Sequence, residues 1–197
     1  MKQTGWHRTT KALLQGAAAI VVTACAGESP LAPRAEMSSR ALTSTLTAVE
    51  GTGRQVELGT CEQLRAPGGG RLAVHLYAAG VQIYHWDGAR WVFDGPSAAL
   101  YANAGLTGQV GTHSAGPIWV HNGGGTVRGG SPVACAVDPT AIPWLRLRAT
   151  PDAVAGIFNR VTTILRVNTT GGIMPVGSGT PGEVRRVPYT AEYYFYR

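Results

Sequence analysis

His113 is the residue of this chain whose type and setting best suit chemistry, because an imidazole gains and loses a proton near neutral pH. It lies in a stretch rich in glycine and proline, from Gly111 to Pro117. A loop of this kind can present a side chain to a cleft, so His113 is a candidate general acid or base. The alternative, which we favour, is structural: the imidazole hydrogen-bonds to backbone in that turn and holds Trp119 in place.

A serine nucleophile and a metal centre are less well supported. Ser114 follows His113 directly, but adjacency alone does not arrange a nucleophile, a base and an orienting acid, and the chain has no Gly-x-Ser-x-Gly elbow. Strands can bring distant histidines together, yet neither His-x-His nor His-Glu-x-x-His spacing occurs. The histidines that would have to meet are His75, His85, His113 and His121. We expect no metal and no cofactor.

The glycine cluster from Asn122 to Thr126 is another place where a ligand could bind. A phosphate-binding loop needs a lysine and a following helix, and both are missing here. A flexible hairpin turn between residues 119–121 and 127–128 explains the glycines better.

The C-terminal segment carries further candidate ligand-binding residues. Tyr194 and Tyr196 alternate with Tyr193 and Phe195, so in a strand they face away from the core side. If exposed, they form a stacking platform for a glycan or an apolar ligand. The alternative, which we favour, is a closing barrel strand covered by a neighbour. The candidate binding residues are therefore His113, Trp119, Tyr194 and Tyr196.

The N-terminal segment has the pattern of a bacterial lipoprotein signal. A short basic region precedes the apolar run of residues 12–22, which is too short to span a bilayer but typical of a signal peptide. Small residues then precede Cys25, which suits a peptidase that cuts immediately before a lipid-modified cysteine. We predict a signal peptide over residues 1–24 and membrane attachment through a lipid on Cys25.

Two other interpretations of this segment remain open. One is an ordinary secretory signal cut after an Ala-x-Ala-like site, and the weaker one is an uncleaved anchor helix. All three place the domain outside the cytoplasm. Ala26 is not an acidic retention signal, so the outer membrane is the expected destination where the cell has one.

The charge of the chain argues against nucleic acid as a partner. The net charge is +6, from 17 basic and 11 acidic residues. Residues 1–24 carry three of the basic residues and no acidic one, which leaves 14 basic residues and a net charge of +3 after cleavage. This excess of positive charge is small and scattered along the chain, so it does not indicate a nucleic-acid-binding surface. Both lysines, Lys2 and Lys11, lie in the signal, so the mature protein has no lysine nucleophile.

Cys61 and Cys135 remain once Cys25 is assigned to the lipid. Two cysteines in an oxidising compartment favour one disulfide. The bond would close a loop of about 75 residues and stabilise the fold by roughly 4 kcal/mol in the chain-entropy model.

Strand signals dominate the rest of the chain. Short stretches rich in β-branched and aromatic residues, bounded by Gly, Pro and Asn, predict strands at residues 71–77, 81–86, 118–121, 144–149, 161–167 and 190–196. Asp87-Gly88 predicts a two-residue hairpin turn that sets Tyr84 opposite Trp91. This turn would place Tyr84, Trp86, Trp91 and Phe93 on one face of the hairpin, and the simplest interpretation is that this face belongs to the core.

Helix signals are few. Thr150-Pro151-Asp152 predicts a short helix through about Phe158, and Pro96 to Leu100 suggests a single turn. We predict one all-β domain over residues 49–197, either an antiparallel β-sandwich or a small β-barrel, with at most one or two short helices. Residues 25–48 lack a sustained apolar face and predict a flexible tether.

Several motifs of the domain occur in the order found in one family of secreted bacterial and fungal proteins. They are Gly80-Val81-Gln82-Ile83-Tyr84, residues 110–119, residues 141–145, Arg166-Val167-Asn168-Thr169 with Gly171-Gly172, and residues 187–196. On these motifs the chain resembles the domain of unknown function 3455 family, from about residue 50 to the C-terminus. The resemblance implies an extracytoplasmic domain and no established activity.

The chain departs from this family at one feature. Relatives often carry a cysteine two residues after Gln-Ile-Tyr and another after a Gly-Gly-x-x-Pro segment. Trp86 and the Ser178-Gly179 region occupy those places here, so the usual disulfide of the family would be absent. Cys61 with Cys135 would replace it elsewhere.

Together these observations favour a lipid-anchored β-domain of the cell envelope that binds a small molecule or a glycan without catalysis. One alternative is a hydrolase- or isomerase-like enzyme with His113 as acid/base, which a deep pocket with His113 bonded to Asp94 or Asp138 would support. The second is a structural envelope scaffold, which a shallow, featureless surface would favour. The sequence identifies neither the ligand nor the oligomeric state.

Overall fold

A computed structural model of the chain describes residues 56–197. The predicted signal peptide, the lipid site at Cys25 and the tether of residues 25–48 lie outside the described residues, as do residues 49–55. No helix within residues 56–197 has the length and apolar composition needed to cross a membrane.

Eight antiparallel strands form a closed barrel in which each strand pairs with the next and the last pairs with the first. The strands are β1 (Leu72–Trp86), β2 (Trp91–Tyr101), β3 (Gln109–Ser114), β4 (Ile118–His121), β5 (Thr126–Cys135), β6 (Trp144–Pro151), β7 (Thr163–Gly171) and β8 (Val184–Tyr196). Two 3-10 turns, Glu62–Leu64 and Pro67–Gly69, precede them. The all-β prediction is confirmed, and of its two alternatives the barrel forms, which leaves no strand edge exposed.

Side chains from alternate positions of each strand fill the barrel interior. The inward positions of β8 are Tyr189, Ala191, Tyr193 and Phe195, each at most 3% exposed. They pack against inward residues of the other strands and against Phe158 and Val161, which come from the β6–β7 connection. The core therefore runs along the inside of the barrel.

A second apolar cluster covers part of the outside of the barrel. Residues 56–66 pack there against outward side chains of β7 and β8. The buried members are Leu58, Cys61, Leu64, Ala66, Leu165, Val167 and Tyr196. Cys61 is bonded to Cys135 at the end of β5, so the predicted disulfide is confirmed. Because of this segment, the first half of β7, residues 163–167, is largely buried on both of its faces.

Both predicted helices are wrong. Pro96 to Leu100 belong to β2, where Asp94 is the extra residue of a bulge against β1 and Gly95 has a φ of 147°. A bulge is one of the few places where a strand tolerates proline. After β6, the backbone N–H of Asp152 donates to Thr126 O at 2.9 Å, and the Asp152 carboxylate accepts from the Thr126 N–H at 3.1 Å. Asp152 thus extends the sheet instead of capping a helix.

The first hairpin also differs from its prediction. The two strands predicted at residues 71–77 and 81–86 form one long strand. The turn that follows contains four residues, because the Asp87 carboxylate accepts hydrogen bonds from the backbone N–H groups of Ala89 and Arg90. Trp86 therefore lies opposite Trp91. The register moves by two residues, which keeps the four aromatic side chains on one face. Phe93 is nevertheless 49% exposed, so this face is only partly core.

Candidate functional site

A cavity of about 230 Å³ lies within the barrel and opens between β2, the β3–β4 turn and β5. Its rim includes the exposed residues Phe93, Asp94 and Pro132, whereas its inner wall includes the buried side chains of His113 and Trp119. An apolar cavity of about 150 Å³ is enough to admit benzene. The cavity of this barrel therefore has room for a small substituted ring.

The structure places His113 on β3, pointing into the barrel and 3% exposed. The loop predicted from Gly111 to Pro117 is thus a strand up to Ser114 and a turn only after it. His113 Nδ1 lies 2.9 Å from the carbonyl oxygen of Ile118, and the imidazole stacks on Trp119 with ring centroids 4.2 Å apart. This is the arrangement that the structural interpretation of His113 predicts.

The protonation state of His113 follows from these contacts. Burial lowers the pKa of His113 to about 3. The positive charge of Arg166 adds to this shift, whereas the hydrogen bond to Ile118 opposes it. A carbonyl oxygen only accepts hydrogen bonds, so Nδ1 carries the proton and Nε2 is an acceptor. His113 is therefore neutral at physiological pH.

Neither carboxylate considered as an enzyme partner bonds to His113. Asp94 lies at the rim, 2.6 Å from His85 Nδ1. Asp138 is exposed and accepts hydrogen bonds from the hydroxyl and the backbone N–H of Thr140. The pocket is present, but the orienting acid that a histidine base would need does not contact the imidazole.

Two buried N–H donors in the cavity wall have no partner within residues 56–197. They are Nε2 of Gln82, which is 2% exposed, and the indole Nε1 of Trp119, which is 1% exposed. A buried donor without an acceptor costs about 1–3 kcal/mol. A polar atom held in the cavity would offset this cost.

Arg166 on β7 adds a permanent positive charge to the lining. It pairs with Leu145 on β6 and Tyr193 on β8, and both of these also line the cavity. Its Nε and Nη2 atoms donate to the carbonyl oxygen of Pro143 at 3.2 and 2.8 Å. In the described part of the chain, no carboxylate lies within 4.0 Å of the guanidinium.

Buried tyrosines surround this charge and stay neutral. Burial raises the pKa of Tyr84, Tyr189 and Tyr193, and in all three cases the charge of Arg166 acts in the opposite direction. The guanidinium thus influences groups on β1 and β8 as well as on β3. Since His113 is neutral too, Arg166 is the charged group of the inner wall.

Sequence reasoning singled out neither Arg166 nor Gln82. Both residues lie in the motifs that carry the family resemblance, and alternation was a second signal: Arg166 shares a strand face with Ile164, and Gln82 shares one with Tyr84. A polar residue on a strand face whose other residues are apolar can indicate a cavity inside the barrel.

The other two candidate binding residues lie on the outside of the barrel. Tyr196 is 2% exposed beneath residues 56–66, so it offers no exposed stacking surface. Tyr194 is half-buried and stacks on His75 with ring centroids 3.9 Å apart, and its hydroxyl donates to Glu192 at 2.9 Å. The structure therefore brings His113 and Trp119 together at the cavity but does not add Tyr194 and Tyr196 to them.

The histidines do not gather into a metal centre. His75 Nε2 lies 2.7 Å from Glu192, His85 pairs with Asp94, and His121 Nδ1 accepts from the Gly123 N–H at 3.0 Å. Within residues 56–197 no group of three or more His, Cys, Asp or Glu side chains is placed to hold a metal ion.

Comparison with known proteins shows which family the chain belongs to. No curated protein and no solved structure matches the chain. One family model matches residues 67–197, a span that contains all eight strands of the barrel and every residue of the cavity lining. The resemblance carried by the sequence motifs is thereby confirmed: the chain belongs to the family described as protein of unknown function (DUF3455).

Proposed function

We propose that this protein is an extracytoplasmic binding protein that holds a small ligand in the barrel cavity without transforming it. The observation that carries the proposal is the cavity itself, whose wall combines apolar side chains with the unpartnered donors of Gln82 and Trp119. Small-molecule sites typically have this composition, an apolar concave surface with a few placed polar groups. An envelope scaffold would have no use for such a cavity.

The state of His113 supports binding over catalysis. A general base works best when its pKa lies near the operating pH, and burial has lowered the pKa of His113 to about 3. Its Nδ1 is occupied by Ile118 O and its ring face by Trp119. His113 therefore serves to hold the indole of Trp119 in the cavity wall.

Toluene should bind saturably to the purified protein, because a neutral ring of this size fits a cavity of about 230 Å³. Leu145 lines the cavity, so a Leu145→Trp variant should fill it and weaken toluene binding by about tenfold or more. Binding is followed by ¹H–¹⁵N spectra through the Trp119 indole resonance, identified by its loss in Trp119→Phe.

A matched control adds the same bulk outside the cavity. Val120 on β4 is 40% exposed and does not belong to the lining, so Val120→Trp should bind toluene as the native protein does. Circular dichroism checks that each variant is folded. The proposal is refuted if toluene leaves the Trp119 resonance unchanged, or if both tryptophan variants bind it equally well.

The proposal includes attachment to the cell envelope through a lipid on Cys25. The Cys61–Cys135 disulfide is compatible with an oxidising, extracytoplasmic compartment. Metabolic labelling with a radioactive fatty acid should mark the native protein but not Cys25→Ser, because the serine cannot receive the lipid. Equal labelling of the two proteins would exclude the lipoprotein assignment.

A further inference from the structure

The chemical class of the ligand follows from the charge in the cavity wall. We propose that the cavity binds a small organic anion, a carboxylate attached to an apolar or aromatic body, with the carboxylate against Arg166. This inference rests on the proposed function, since it names the kind of molecule that the same cavity takes.

Arg166 is available to a ligand because its own partners leave part of the guanidinium unused. The Pro143 carbonyl takes two of the five N–H groups. The positive charge of Arg166 lowers the pKa of the Tyr193 hydroxyl against the effect of burial, but this hydroxyl has no hydrogen-bond partner within residues 56–197 and takes up none of the N–H groups. The Pro143 carbonyl carries no negative charge. Removing part of a guanidinium from water costs free energy that an anion would offset, and within residues 56–197 no acidic side chain pairs with Arg166.

Two other polar side chains of the wall also need a hydrogen-bond acceptor. Gln82 Nε2 and Trp119 Nε1 are N–H donors that lack an acceptor, and both are more than nine-tenths buried in the cavity wall. A carboxylate has two oxygens with about four acceptor positions and can bind a guanidinium edge in bidentate fashion. A ligand with an ammonium group would instead face Arg166 with a like charge.

The acidic residue of the lining does not cancel this preference. Asp94 stands at the exposed rim and is paired with His85, which faces it at 2.6 Å across the β1–β2 ladder. The inner wall beside Arg166 contains only neutral groups, because the buried His113 is unprotonated and the buried Tyr193 keeps its proton. The potential deep in the cavity is therefore positive.

The apolar part of the wall fits the body of such a ligand. It is lined by Phe93, Pro96, Pro117, Pro132, Leu145 and Leu147. With a volume of about 230 Å³, the cavity accommodates one ring with a short acidic substituent.

Benzoate, toluene and benzylamine share a ring and differ in charge, so they test this inference on the native protein. By titration calorimetry at neutral pH, benzoate should bind at least about tenfold more tightly than toluene, and benzylamine more weakly than either. This ordering is measured without any variant, so it does not depend on whether a substitution at Arg166 folds.

Two arginine substitutions assign the effect to the cavity. Arg166→Met should weaken benzoate by about tenfold or more and leave toluene unchanged. Arg148→Met removes the same charge from an exposed position outside the lining and should leave both affinities unchanged. If toluene binds but benzoate is no tighter, or if Arg166→Met does not weaken benzoate, the anion inference is overturned while the binding function stands. If neither molecule binds, the binding function itself fails.

Discussion

Between about pH 7.5 and about pH 5, the native protein should lose about 2 kcal/mol more free energy of unfolding than a His113→Gln variant does. The reason is the burial of His113, which lowers the pKa of its imidazole from 6.5 to about 3 in the folded protein. Between these two pH values the imidazole is protonated in the unfolded chain but not in the folded protein. Acid therefore favours the unfolded chain, by about 1.4 kcal/mol for each pH unit below 6.5.

The sign of this effect is fixed by the direction of the pKa shift. Stability from the neutral imidazole is fully present above about pH 6.5, falls as the pH is lowered, and reaches its minimum near pH 3, where the folded protein also takes up the proton. Integrated over the whole interval, the loss amounts to about 5 kcal/mol. Few single residues affect a domain of this size as strongly.

Urea unfolding of both proteins at several pH values measures this difference. Glutamine keeps an N–H donor for the Ile118 carbonyl but does not titrate, so the stability of His113→Gln should depend less on pH than that of the native protein. Other titrating groups are common to the two proteins and cancel in the comparison. Parallel curves of stability against pH would show that His113 is not buried in neutral form.

The fold class could be predicted from the sequence because five of the eight strands, β1, β4, β6, β7 and β8, carry a local signal. Residues 118–121 coincide with β4, and the predicted strands at 144–149, 161–167 and 190–196 lie within or overlap β6, β7 and β8. The choice between sandwich and barrel depends instead on the pairing of β8 with β1. That contact joins segments about 100 residues or more apart, and no local pattern reports it.

Strands interrupted by proline or glycine were harder to predict. Pro96 in β2 and Pro132 in β5 both adjoin irregularities of the ladder, where Gly95 has a φ of 147° and Ser131 has a φ of 48°. Such residues end a strand in most contexts, but at a bulge the missing N–H and the unusual φ are tolerated. Only the register of the neighbouring strand distinguishes these cases.

The cavity could be predicted only in part. His113 and Trp119 attract attention by their types, but Arg166 looks like an ordinary strand residue. Its neighbours Leu165 and Val167 are as apolar as Ile164, because residues 56–66 bury the outer face of β7 as thoroughly as the barrel buries the inner face. Alternation therefore does not say which face points inward, and a polar residue inside the barrel is not recognised until the topology is known.

Reduction of the Cys61–Cys135 disulfide should lower the free energy of unfolding by about 4 kcal/mol. The bond joins residues 74 positions apart, so it restricts the unfolded chain strongly. In a chain of this length the loss corresponds to a fall of about 10 °C in the unfolding midpoint. Thermal unfolding with and without dithiothreitol measures it, and the double variant Cys61→Ala, Cys135→Ala should unfold near the reduced midpoint without responding to the reductant.

The outer apolar cluster makes it possible to say where this stabilisation acts. Leu58 and Leu64 are buried in the outer apolar cluster with side chains of β7 and β8, so we expect residues 56–66 to stay packed on the barrel after reduction. Hydrogen exchange at the Leu64 amide, which donates to Cys61 O at 2.9 Å, reports this packing directly. A protected amide with a lowered midpoint means that the bond acts on the unfolded chain, as the entropic model requires. Rapid exchange with an unchanged midpoint would mean that the bond only fastens the segment to the barrel, and the predicted loss of stability would be wrong.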